Sequence, residues 1–364
     1  MVVRRVSDEL TKKGHSCTVL TDTPGNRNTD AGLNCPVVRV PGSPSYFVGL
    51  NLHILSYLYR VRASEYDVVS IHGYHTLMSL GCACVCVAKK IPYVFSSYYH
   101  GKGHSALTNA FFKAYGILGK RIIDRSEKTI CISNYERDIL VSDLNVSPAR
   151  LEVIAQGVGS INTGKKVRKD GSIRLLYVGY LRKYKGIEYI LQAVRVLKSR
   201  YHANIGLDVI GTGEDGEYLK NVARTLGISA EVNWLSPVPE NELYQRYAEA
   251  DMLLLLSSAE SYGLVVSEAL SSGTPCIVAN TSALSEFTCE PGCYGVAYPP
   301  DPQELAELIL DIRGKDVKVG PFSKKIRTWD EIVEDYEIVY GKAAGRKQNV
   351  LVSDDKRLAG QASR

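Results

Sequence analysis

The sequence predicts an α/β protein of two domains, each a doubly wound parallel sheet with helices on both faces. Three observations carry that expectation. Short apolar strands alternate with amphipathic helices along the chain, the pattern of sheets covered on both sides. A second alternating set starts at IRLLYVG (173–179), after the Gly-, Lys- and Ser-rich stretch QGVGSINTGKKVRKDGS (156–172) that reads as an interdomain linker. With 364 residues, 45% apolar and 23% charged, the chain is long enough for two cores.

The elements follow in order. VVRRVSDELTKK (2–13) sets Val3, Val6 and Leu10 on one helical face and stops at Gly14. SCTVLT (16–21) and VVSIHG (68–73) read as strands, and a helix runs through the cysteine-rich stretch that follows. PYVFSS (92–97) is the next strand, 106–126 a long helix, and TICIS (129–133) a strand leading into the helix NYERDILVSDL. The first domain is expected over 1–157, the linker over 158–172 and the second domain over 173–328.

The net charge of +5, from 44 basic and 39 acidic side chains, suits anionic nucleotides or an anionic membrane surface and is too small to imply nucleic-acid binding. Nine cysteines include Cys82, Cys84 and Cys86 without a CxxC pair, and Cys289 and Cys293 near a Pro-Gly turn. They are expected to be reduced, buried small residues of a cytosolic protein. Nothing resembles a signal peptide, and the longest apolar stretch, 77–88, falls short of the ~20 residues that span a bilayer. With no Asp-x-Asp pair and no clustered His/Cys ligands, no metal is implied.

The most informative segment is the run from MLLLLSS (252–258) through AESYGLVVSEALSSG. A buried strand reaches Glu260 in a loop, passes Tyr262, Gly263 and Leu264, and enters a helix that carries Glu268 and ends at Gly273. A glycine at a helix opening lets the first N–H groups approach an anion, where the dipole favours phosphate. Glu268, little more than a turn inside the helix, suits the vicinal hydroxyls of a ribose, and Glu260 suits a second polyol. An anion cradle with two hydroxyl clamps fits a nucleotide diphosphate sugar.

The spacing Glu260-x7-Glu268, then EALSSGTPCIVAN and Glu286, resembles the donor site of the family 4 retaining glycosyltransferases. YVGYLRKYKGIEYILQAV, GTGEDGEYLKNVARTLGI and VNWLSPVPENELYQRYAEADMLLLLSS also fall where that family places comparable segments, so the resemblance extends from residue 1 to about 340. It implies the GT-B fold, two Rossmann-like domains facing a donor cleft. It also implies a final helix at 329–341 crossing back onto the first domain, before a polar tail over 342–364 that is expected to be disordered.

The family usually begins with a strand and a glycine-rich loop, whereas this sequence opens on the helix. A missing central strand is expected to leave a slot between two neighbours and two unpaired edges. The sequence is accordingly read as a fragment or a misassigned start, with a shortened protein as the alternative.

The resemblance assigns further roles. Gly179 follows the strand, and Lys185 falls where the family has a diphosphate-binding lysine; a fixed cation there would stabilise charge growing on the leaving phosphate. Tyr180 stands where arginine is common, so Arg182 or Lys183 is the candidate substitute; a solvated basic turn is the other reading of LRKYK. SSYYHGKGHS (96–105) offers His100 as the residue facing the transferred sugar, with Tyr98 at an earlier histidine position; structural roles remain open for His100 and His104. His72 and His75 are read as structural or acceptor-lining. Glu286 is expected to open a helix near the nucleotide, or to cap it. GTGED (211–215) is expected to be a turn lining the nucleotide pocket, since the spacing lacks the third glycine of a dinucleotide fingerprint.

The helix at 106–126 combines Phe111, Phe112, Tyr115, Ile117, Leu118, Ile122 and Ile123 with Lys113, Lys120, Arg121 and Arg125. Core packing and contact with an anionic membrane both account for that pattern. The expected activity is retaining transfer of a sugar from a nucleotide diphosphate donor to a glycan or lipid-linked acceptor, with Glu260, Lys185 and His100 catalytic. Donor-binding residues are Gly179, Arg182, Lys185, Tyr262, Gly263, Leu264, Glu268 and Glu286, and no cofactor is required. The expected location is cytoplasmic, with membrane association on the cytoplasmic face as the alternative to a free protein. A catalytically silent nucleotide-sugar-binding protein and a sugar-nucleotide epimerase on the same fold are the alternatives.

Overall fold

The computed structural model describes residues 2–22, 34–41, 50–74, 76–101, 106–162, 171–315, 317–323 and 325–345, leaving aside the side chains of 106–114. The amino-terminal half runs α1 (Val2–Lys12), β1 (Val19–Asp22), β2 (Val37–Val40), α2 (Leu52–Arg60), β3 (Val69–His72), α3 (Leu77–Lys89), β4 (Tyr93–Ser96), α4 (Ala106–Arg125), β5 (Lys128–Cys131), α5 (Asn134–Leu144) and β6 (Leu151–Val153). The carboxy-terminal half runs β7 (Ile173–Val178), α6 (Ile187–Tyr201), β8 (Ile205–Ile210), α7 (Gly216–Thr225), β9 (Val232–Leu235), α8 (Glu240–Glu249), β10 (Met252–Leu255), α9 (Leu264–Ser271), β11 (Cys276–Ala279), β12 (Cys293–Val296) and α10 (Pro302–Arg313). Helix α11 (Trp329–Ala343) completes the described fold.

The α/β expectation with parallel sheets agrees with the structure. β7 to β12 form one six-stranded sheet in the order β12-β11-β10-β7-β8-β9, and every pairing is parallel. β10 and β11 bury all their residues, as strands covered on both faces must. The core joins these strands to one face of α6, including Ile187, Ile190, Leu191, Val194 and Leu197.

The amino-terminal half is divided. β3-β4-β5-β6 form a four-stranded parallel sheet, β1 pairs only with β2, and no ladder joins the two sheets among the described residues. Both β1 and β3 line a cavity of about 1320 Å³, which α1, α2 and α3 also border. β1 starts at Val19, later than the sequence suggests, because Val19 is where the backbone first meets β2, donating to the Pro36 carbonyl at 2.9 Å. The strands β2, of four residues, and β6, of three, are not among those the apolar pattern marks.

Local chemistry fixes the helix ends. The Thr76 hydroxyl accepts from Ser79 N at the start of α3, and Lys90 closes that helix in the left-handed region at φ 55. Thr328 and Glu331 form a capping box on α11. That helix packs Trp329, Ile332, Val333, Tyr336 and Val339 with Val6 and Leu10 of α1 and Val94 of β4, placing the last helix against the first half of the chain. Part of the interdomain stretch, 163–170, and the tail from 346 onward lie outside the described residues.

Along α4, Tyr115, Ile122 and Ile123 enter the core beside Tyr74 and Tyr93, whereas Ile117 is 66% exposed. No described cysteine forms a disulfide. Cys84 and Cys289, expected to be buried, are exposed: Cys84 lies on the outer face of α3 and Cys289 two residues after the largely covered 3-10 turn that ends at Phe287.

Candidate functional site

The carboxy-terminal sheet reverses its strand order between β7 and β10, and ligands of doubly wound sheets gather at the carboxyl ends of the strands at such a point. Leu175 and Leu176 of β7 pair with Met252 and Leu253 of β10. The loops leaving these strands, 179–186 and 256–263, therefore lie side by side. Ser258 N donates to the Tyr184 carbonyl at 2.8 Å, stitching one loop to the other. Gly186 makes the approach possible, because it adopts φ +71 and a Cβ there would lie 2.0 Å from the Leu256 carbonyl oxygen.

At this junction Lys185 Nζ donates to Glu260 Oε1 at 2.5 Å, with both side chains largely buried. The Ser257 hydroxyl donates to the same oxygen at 2.8 Å, and Glu260 N donates to the Ser282 hydroxyl at 2.9 Å. A cation and an acid are thus held together at the strand ends by bonds from both sides. Gly179 takes φ +153, and its carbonyl oxygen lies 1.9 Å from where a Cβ of Gly211 would be, so the Gly179 and GTGED turns pack backbone to backbone.

Gly263, at φ +114, is the N-cap of α9, and a Cβ there would meet Leu284 at 2.9 Å. Leu264 opens the helix, half-buried against the core. The first N–H groups of a helix lack intrahelical partners and carry the positive end of its dipole. One turn further on, Glu268 is 7% exposed and accepts from the Tyr247 hydroxyl at 2.8 Å. Burial pushes the Glu268 carboxyl up to about 7, and the Tyr247 bond opposes that shift.

Tyr262 turns away from this junction. Its hydroxyl donates to the carbonyls of Gln156 and Lys325 at 3.2 Å each and accepts from Ser267 at 3.1 Å, joining the end of the first half to the approach to α11. Glu286, in the 3-10 turn Ser282–Phe287, accepts from Tyr135 N at 2.7 Å and Asn134 Nδ2 at 3.2 Å and pairs with Lys325 at 2.8 Å. It therefore caps α5 of the opposite half. Arg182 pairs with Glu214, and Lys183 lies 4.2 Å over the Tyr218 ring, so both basic neighbours of Lys185 have partners on the outside of the second domain.

His100 sits half-buried in the loop after β4, between Tyr98 at φ +51 and Gly101 at φ +75. His72 lies between the Ser70 hydroxyl at 3.0 Å and the Tyr98 hydroxyl at 3.1 Å, and burial holds its imidazole down at about 4. It is therefore neutral near pH 7. His75 and His104 lie outside the described residues.

Sequence reasoning missed the groups that serve these residues: Ser257, Ser282 and Tyr247 are ordinary core or loop positions until the sheet order places them. One signal was present. Ser133 precedes Glu136 at capping-box spacing, and the Ser133 hydroxyl accepts from Glu136 N at 3.0 Å while donating to the Ser261 carbonyl at 2.7 Å. No described helix is long and apolar enough to cross a membrane.

Residues 1–159 match the family model described as Glycosyltransferase Family 4, and residues 161–318 match glycosyl transferases group 1. An uncharacterized glycosyltransferase of Methanocaldococcus jannaschii is 25% identical over 364 aligned positions, covering 92% of each chain. The crystal structure of a glycosyltransferase from Rickettsia africae superposes with a TM-score of 0.72 at 14% identity, over 94% of both chains. That of Anabaena HepE in complex with UDP and glucose does so with a TM-score of 0.68 at 15% identity, over 94% of this chain and 90% of that one. The two solved structures share the fold.

Proposed function

This chain belongs to the family 4 glycosyltransferases, with the two-domain GT-B fold, and on that premise we propose that it moves a sugar from a nucleoside diphosphate sugar to a glycan or lipid-linked acceptor with retention at the anomeric carbon. The observation that carries the reading is the Lys185–Glu260 pair, 2.5 Å apart beside Gly263 at the opening of α9. In this reading the diphosphate lies against the first turn of α9 with Lys185 on its charge, Glu268 accepts from the ribose hydroxyls, and Glu260 faces the sugar.

Breaking the bond between the anomeric carbon and the β-phosphate oxygen puts charge on the leaving diphosphate, and a fixed ammonium stabilises that state more than the ground state. The acceptor hydroxyl attacks from the face the diphosphate leaves, and its proton passes to the departing phosphate oxygen. His100, on the facing loop, is assigned to the transferred sugar. HepE, a fold neighbour, has been crystallised with UDP and glucose, which supports a nucleotide-sugar ligand of this class. The exposed Ile117 and Leu118 beside Lys120 and Arg121 on α4 support peripheral contact with an anionic membrane carrying a lipid-linked acceptor.

The test is to incubate the chain with UDP-glucose, UDP-N-acetylglucosamine or GDP-mannose and a panel of glycan and lipid-phosphate acceptors, and to measure nucleoside diphosphate release and product anomeric configuration. Release coupled to acceptor consumption, with retained configuration, is expected. Binding without release would replace the reading with a silent nucleotide-sugar binder, and conversion of the donor to its epimer would replace it with an epimerase.

A further inference from the structure

Glu136 is 0% exposed, and no ion pair reaches it among the described residues. Its carboxylate instead collects three donors from two separate loops. Oε1 accepts from the Ser97 hydroxyl at 2.5 Å and from Tyr99 N at 2.6 Å, both on the segment that follows β4. Oε2 accepts from Ile132 N at 2.7 Å, on the turn into α5. At N3 of a capping box such a glutamate ordinarily reaches back to the N-cap amide; here it is turned toward the neighbouring strand end.

The bonds continue across the cleft. Glu136 N donates to the Ser133 hydroxyl at 3.0 Å, and that hydroxyl donates to the Ser261 carbonyl at 2.7 Å, one residue from Glu260. The link therefore runs from Ser97 and Tyr99, which flank Tyr98 and precede His100, to the Glu136 carboxylate, through that residue's covalent frame to its backbone N–H, and on by Ser133 to the Glu260 loop. The Tyr98 backbone is in the left-handed region, a conformation disfavoured for a side-chain residue unless its surroundings hold it.

We propose that Glu136 is a positioning residue: its carboxylate fixes the loop bearing His100, its backbone N–H fixes Ser133 against the loop bearing Glu260, and one residue so holds the two loops in register. The inference rests on the reading of those loops as the two sides of the transfer site. Three converging donors require an acceptor-only group, and an amide in its place would turn an NH₂ toward an N–H or O–H. Burial pushes the Glu136 carboxyl up to about 7 while the three donors oppose the shift, so the group is kept in place against its own desolvation.

The test compares Glu136→Gln and Ser133→Ala with the unaltered full chain by hydrogen exchange and by steady-state kinetics with UDP-glucose or whichever donor the panel identifies. In Glu136→Gln, exchange should rise ~10-fold or more at Tyr99 and also in the segment 258–264, which Glu136 does not touch. Ser133→Ala should reproduce the second rise. Turnover should fall ~10–100-fold with the donor KM within about a factor of 3, because misplacement by ~1 Å costs rate more than binding. Faster exchange confined to 97–101 and 132–136 would make Glu136 a local cap and overturn the proposal. A chain that turns over none of the donors would count against the functional reading alone, since the exchange comparison still decides the coupling. Should Glu136→Gln fail to fold, Ser97→Ala removes one of the three donors and is expected to raise exchange in 258–264 to a smaller degree; no rise there overturns the proposal equally.

Discussion

Lys185 and Glu260 are 75 residues apart in the chain and 2.5 Å apart in space, a contact made because β7 and β10 are neighbours at the point where the strand order turns. Within their own loops, Glu260 also accepts from the Ser257 hydroxyl at the same oxygen, and Lys185 Nζ lies 5.1 Å from the centre of the Tyr184 ring. The pair keeps a positive charge at the strand ends without leaving either ion alone in a largely buried site.

Lys185→Ala should therefore lower kcat/KM by ~100-fold or more, corresponding to ~3 kcal/mol of lost transition-state stabilisation. UDP affinity should change much less, because charge on the diphosphate grows during transfer. Calorimetry with UDP beside single-turnover rates separates the two, and equal losses in both would remove the leaving-group role.

Glu260→Ala should discriminate among donors. If Glu260 faces the sugar, the variant loses affinity or rate for UDP-glucose while UDP binds nearly as before, the difference being ~1–3 kcal/mol for one charged hydrogen-bonding group. Competition binding with UDP and UDP-glucose checks this; the same loss for both ligands would move Glu260 off the sugar.

Glu268 gives a pH dependence. Its folded pKa of about 7 lies above the ordinary 4.5, so its contribution to stability is fully present below 4.5 and is lost as pH rises through 7. Nucleotide binding should run the opposite way: an ionised carboxylate is the better acceptor for ribose hydroxyls, and affinity should strengthen between pH 6.5 and 8. Glu268→Gln should weaken UDP by ~1–3 kcal/mol and flatten that profile. A pH-dependent UDP affinity that survives in Glu268→Gln would assign the titration to another group.

Gly186→Ala tests the backbone beneath the pair. The position has φ +71, and the added Cβ would fall 2.0 Å from the Leu256 carbonyl, so the two loops must separate. A loss of ~2 kcal/mol or more in stability is expected, together with reduced turnover. Urea unfolding followed by circular dichroism measures the first, and an unchanged midpoint would show that the loops tolerate the separation.

Much of the fold was legible because it rests on short-range patterning. The all-apolar MLLL of β10, the buried face of α6 and the run Glu260, Gly263, Glu268 across a strand, loop and helix are set by neighbours a few residues apart, and they sit in the structure as the period implies. Gly263 opening α9 and Ser133 capping α5 are equally local, since each answers the unpaired amides of a first helical turn.

What only the tertiary structure decided is which side chain meets which. Tyr262 lies two residues from Glu260, yet its hydroxyl reaches Gln156 and Lys325; Glu286 caps a helix of the other half; Arg182 pairs outward with Glu214. Such partners depend on strand order and on how one sheet faces another, and side-chain periodicity carries no information about either. The sequence by itself determined the elements and the local shape of the α9 opening, because those follow from hydrogen bonds closed within a turn or two. The Lys185–Glu260 pair and the Glu136–Ser133–Ser261 chain had to wait for the fold, because each closes over residues that only the packing of separate strands brings within hydrogen-bond distance.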